Sequence, residues 1–181
     1  MDDLRVVVAK PLASEYVERL RSADPRVEVS YEPDLMPPMR WPSDHRGDPS
    51  FKRTPEQQAR LAELVDSADI LYSFPNNNSA ELARIVRANP KLKWVHIMAA
   101  GGGSQVKAAN LTREELRRVI FTTSAGVHAG TLAEFALFGV LAGAKELPRL
   151  QADKQRHYWP TSRRTMRRRR CRMRPRREAR A

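Results

Sequence analysis

Cysteine is almost missing from this chain of 181 residues. With Cys171 alone, neither an intrachain disulfide nor a cysteine-based metal cluster can form. The start, Met1-Asp2-Asp3-Leu4-Arg5, lacks the basic opening and apolar stretch of a signal peptide. Long apolar runs are missing too. The longest, Phe135 to Ala144, has ten residues, against the roughly 20 that a bilayer crossing needs. These absences predict a cytoplasmic protein in a reducing compartment, with no membrane partner. Aromatics are scarce at 7%, yet the apolar fraction of 41% excludes a wholly disordered chain. The length suits one domain of ordinary size.

Acidic residues are missing from one place in particular. Residues 161–181 hold eleven Arg and one acid, Glu178, while the first 160 hold 22 basic and 20 acidic residues. The net charge of +12 therefore belongs mostly to the C-terminal end. That Arg-rich stretch has no apolar period and cannot build a core. It reads either as an arm binding nucleic acid non-specifically through phosphates, or as out-of-frame translation of a GC-rich gene.

The body of the chain alternates strand and helix signals. Leu4 to Ala9 is a β-branched run of the buried-strand type. A helix carrying Tyr16, Val17 and Leu20 follows Pro11, and Val27 to Tyr31 alternates as a second strand. Glu32 to Thr54 contains five prolines and Gly47, which forbids a regular element and marks a long, functional or mobile loop. Thr54-Pro55 opens the next helix, with Leu61, Leu64 and Val65 as its stripe. Asp69 to Tyr72, Trp94 to Ile97 and Val119 to Thr123 read as strands three to five. A helix capped by Ser79 and another from Thr112 to Arg118 lie between them. A long helix is expected from Thr131 into the 150s. The implied fold is α/β, a flavodoxin-like doubly wound parallel sheet, then a long hinge helix and a disordered Arg-rich tail.

In such sheets ligands sit at the carboxyl ends of the strands. After the fourth strand comes Ala99-Ala100-Gly101-Gly102-Gly103. Its glycines let backbone amides approach an anion closely; a flexible turn is the alternative. It is neither a P-loop nor a dinucleotide fingerprint. His96, in a strand, and His128 read as structural histidines. No residue is assigned to catalysis or to a metal.

The stretch Ser124-Ala125-Gly126-Val127-His128-Ala129-Gly130-Thr131-Leu132-Ala133-Glu134 resembles the hinge of the D-isomer-specific 2-hydroxyacid dehydrogenases. Gly126, Ala129, Ala133 and Glu134 match its pattern; Ser124 and Leu132 depart from it. Trp94 to Gly102 is similar to a second segment of that family, and the Pro-rich loop to an insertion in some members. The resemblance implies an NAD- or NADP-dependent oxidoreductase acting on small 2-keto or D-2-hydroxy acids. It implies that Ala100, Gly101 and Gly102 hold the substrate carboxylate, that Ser73 and Phe74 line the cleft, and that Thr131 approaches the nicotinamide. It divides the chain into a substrate-side domain (1–130), a hinge helix (131–156) and a basic tail (157–181), with the cofactor domain absent. A truncated chain of that kind is expected to be inactive alone. The apolar circumference of the 131–156 helix points to a homodimer. A standalone module binding small carboxylates, or a regulatory one, is the alternative, beside nucleic-acid binding through the tail.

Overall fold

A computed structural model describes residues 3–159. The Arg-rich tail, for which disorder and nucleic-acid binding were expected, lies outside these described residues. Two compact units divide between Val127 and His128.

The first unit is built on five strands: β1 (Leu4–Val8), β2 (Val27–Ser30), β3 (Ile70–Tyr72), β4 (Trp94–Ile97) and β5 (Ile120–Thr123). They pair in the order β2-β1-β3-β4-β5, and every pair is parallel. This is the doubly wound, flavodoxin-like arrangement. The period-two alternation of β1 sends its side chains to two cores. Val7 joins Leu71, Val95 and Ile97 on one face, beneath Leu61 and Val65 of α2 (Pro55–Asp66) and Leu82, Ile85 and Val86 of α3 (Ser79–Ala88). Val6 and Val8 join Val29 on the other, beneath Leu12 and Val17, the latter from α1 (Ser14–Arg21). Burying side chains of this size contributes roughly 1.5–3 kcal/mol each, before the entropy of ordering them is subtracted.

Local signals set the helix ends. Thr54 accepts from the Gln57 amide and Gln57 returns a bond to the Thr54 amide, a capping box that Pro55 reinforces. Thr112 and Glu115 do the same for α5 (Arg113–Arg118). The cap of α3 is Asn78, not Ser79: its Oδ1 accepts from the Ala80 amide at 2.9 Å. The glycine segment does not remain a turn. Gly102 begins α4 (Gly102–Ala108).

The expected long helix is two helices. α6 (Ala129–Ala144) ends at Lys145; Glu146 takes a left-handed φ of 54°, and α7 (Leu147–Gln155) begins after it. Pro148 gives the reason. It has no N–H for the Ala144 carbonyl, and its ring would clash there in a continuous helix. No residue of α6 is buried, and Phe135, Val140 and Leu132 are 73%, 68% and 65% exposed. No helix among the described residues is long and apolar enough to cross a membrane.

Candidate functional site

From β1 the chain turns to one sheet edge, and from β3 it winds toward the other. The loops leaving these two strands therefore part, and a crevice opens between them. A cavity of about 410 Å³ occupies this point, lined by Ala9, Lys10 and Pro11 after β1, Asn76 and Asn77 after β3, and Pro37, Arg46 and Arg53 from the Pro-rich loop. Three cations meet there and no acid lines the cavity. Among the described residues, no ion pair joins Lys10, Arg46 or Arg53 to a carboxylate.

Lys10 is 8% exposed. Burial, then the nearby guanidiniums of Arg46 and Arg53, lowers its ammonium from 10.5 to about 8. Burial also lowers Arg53. That guanidinium is held from behind: its Nε donates to the Leu35 carbonyl at 2.6 Å, and it lies 5.5 Å from the Phe51 ring.

The Pro-rich loop is more ordered than its composition suggests. Pro33–Leu35 is one 3₁₀ turn. Buried Asp44 accepts from Arg40 Nε at 2.7 Å and from the Arg40 and Gly47 amides; the bond from Arg40 leads in holding its carboxyl down at about 2. His45 donates from Nδ1 to the Pro11 carbonyl at 3.0 Å, which tethers the loop to the end of β1. Gly47 has φ 67°, and a Cβ there would stand 2.5 Å from the Pro37 carbonyl oxygen, so glycine alone fits. Arg46 sits between these two anchors.

Of the residues expected from the sequence, Ser73 and Phe74 follow β3 and Ala100 to Gly102 follow β4, along the same carboxyl edge. Ser73 takes a left-handed φ of 64° and its amide donates to the His96 carbonyl at 2.7 Å. Ser73 is buried, and Phe74 is fully buried in the core, where it supports the loop from below. The Ala100 and Gly101 amides meet no backbone carbonyl among the described residues, and both residues are exposed. The Gly102 amide donates to Ala99. Gly102 is glycine for packing: an added Cβ would lie 2.7 Å from Ile97 Cγ2 and 2.9 Å from Thr123 Cγ2. Thr131 is exposed on the first turn of α6, in the second unit.

This chain matches no protein-family model and no curated protein sequence.

His96 lies in a row of polar groups. Trp94 Nε1 donates to Thr122 Oγ1 at 2.8 Å, which is 2.9 Å from His96 Nδ1, and His96 Nε2 is 3.3 Å from Ser124 Oγ. Burial lowers its pKa, so the ring is neutral near pH 7. Thr122 Oγ1 can donate to Nδ1 or accept from it, and the direction of the Nε2–Ser124 contact follows the tautomer.

The described residues hold no glycine-rich turn after β1 of the kind that seats a dinucleotide. The β1–α1 turn, Ala9-Lys10-Pro11-Leu12-Ala13, has no glycine to admit a pyrophosphate, and Gly102 is filled by its own neighbours. Sequence reasoning missed Lys10, Arg46 and Arg53. The available signal was a lysine directly after a buried strand, followed by proline, in a chain with an arginine-bearing Pro-rich loop.

Proposed function

We propose that residues 3–127 form a binding module for small organic acids, the substrate-side half of a D-2-hydroxyacid dehydrogenase-like protein. One observation carries the anion reading: three cations without acidic partners around a cavity at the β1/β3 crossover point. Lys10 is buried, Arg53 half-buried and Arg46 exposed; the buried ammonium is costly without a counter-charge, so the pocket gains from an anion. The hinge-like segment Ser124 to Glu134 and the open Ala100 and Gly101 amides support the acid being a 2-keto or 2-hydroxy acid. NAD or NADP belongs to this reading through the resemblance alone. No step of hydride transfer is assigned to the described residues, and we propose that the chain does not catalyse it unaided. Self-association through α6 belongs to the same reading.

The test is a titration of the full chain with pyruvate and D-lactate, followed by amide NMR. The expected result is saturable shifts at residues 9–10, 76–77 and 100–103, weakened in Lys10→Met. Shifts confined to residues 161–181, or none, would refute the module.

A further inference from the structure

The cluster of cations contains more charge than a simple carboxylate can answer. Lys10, Arg46 and Arg53 bring three positive charges to one cavity, and neither Asp nor Glu shares its wall. Nearby acids are engaged elsewhere: Asp44 with Arg40, and Asp48 with the Ser50 amide and hydroxyl at 2.8 and 2.7 Å. One monocarboxylate would leave most of the excess in place. The two guanidiniums line the same cavity as the Lys10 ammonium. Charge gathered around one small cavity suits two negative charges on one compact group. Guanidinium forks match tetrahedral oxyanions with paired N–H···O bonds, and a lysine adds a point charge. At about 410 Å³ the cavity exceeds a bare phosphate and leaves room for a small organic part beside Pro11 and Pro37.

We propose that the β1/β3 pocket takes the phosphate of a small phosphomonoester, gripped by Lys10, Arg46 and Arg53. This rests on the anion-binding reading above and narrows its ligand class. The backbone supports it: Asn76 and Asn77 both have left-handed φ, 57° and 51°, which turns the loop after β3 into the cavity wall. Neither residue adds charge, so recognition falls to the cations.

The experiment titrates the full chain with glycerol 2-phosphate, inorganic phosphate, succinate and acetate at one ionic strength, read by amide NMR at Lys10, Asn76 and Asn77. Site-resolved shifts separate the pocket from binding by the Arg-rich stretch. Glycerol 2-phosphate should bind about tenfold more tightly than acetate, and Lys10→Met and Arg46→Gln should each cost about tenfold. Inorganic phosphate binding as tightly as glycerol 2-phosphate would make the ligand free phosphate and overturn the organic part. Acetate or succinate binding as tightly as phosphate would overturn the phosphate assignment while leaving the acid-binding module standing. If no anion moves these amides, both readings fall. Affinity should rise through about pH 6, as a phosphomonoester gains its second charge, and fall as Lys10 loses its proton near 8.

Discussion

Replacing Lys10 by methionine should stabilise the folded chain while weakening its binding site. Lys10 is 8% exposed, has no acidic partner among the described residues, and its pKa is lowered from 10.5 to about 8. A fall of that size places a penalty of up to about 3 kcal/mol on the charged form in the folded state. Residual hydration around the side chain reduces this to about 1–3 kcal/mol. The sign follows from proton counting. Below pH 8 the amine is protonated both folded and unfolded, so the penalty is present in full. Between about 8 and 10.5 the unfolded chain holds a proton that the folded chain has released, and stability rises with pH. Above 10.5 both states are neutral and the penalty is gone. Methionine keeps a flexible apolar stem of similar reach, so little packing is lost. Urea unfolding of wild type and Lys10→Met at pH 7 and pH 10 isolates the effect, since other titrating groups cancel in the difference. The variant should be more stable at pH 7, by about 1–3 kcal/mol, and the gap should narrow by pH 10. Glycerol 2-phosphate should raise wild-type stability and leave the variant nearly unchanged. A variant less stable than wild type at pH 7, or a gap that persists at pH 10, would refute the account of Lys10 as an uncompensated buried cation.

Other substitutions probe the frame of the site. Gly47→Ala, with its Cβ forced against Pro37 at a positive φ, should cost about 2–4 kcal/mol in urea unfolding and weaken anion binding by displacing Arg46. Gly102→Ala should cost about 1–3 kcal/mol because Ile97 and Thr123 fill its space. Gly103→Ala, with nothing within 4 Å, should instead gain up to about 1 kcal/mol inside α4. If α6 mediates self-association, Leu137→Lys should lower the mass measured by light scattering; an unchanged mass would remove the helix from that role. Deleting residues 161–181 should abolish salt-dependent RNA retention, and retention that survives would place the binding elsewhere.

The sheet was legible because strand signals are local. β-branched runs such as Val6-Val7-Val8 report burial on both faces. Thr54-Pro55 and Thr112 likewise announce their helices through side chains one turn away. The break between α6 and α7 was also present, at Pro148, but the apolar residues before it read as one continuous helix. The packing demand at Gly102 was hidden for a different reason. Its glycine answers to Ile97 and Thr123, contacts that no periodicity displays. The cation pocket was least legible. Lys10 is 36 positions from Arg46 and 43 from Arg53, and only the winding of β1 and β3 toward opposite sheet edges, with the loop folded back over their ends, brings them together.

The two anchors beside Arg46 carry a kinetic consequence. His45 is tied to Pro11, and Gly47 is seated against Pro37. The loop therefore spends its conformational entropy when the chain folds, before any ligand arrives. An anion meeting this edge finds the positive field assembled. Association should then be a single fast phase, linear in ligand concentration and slowed by added salt, with selectivity expressed in how long each anion stays.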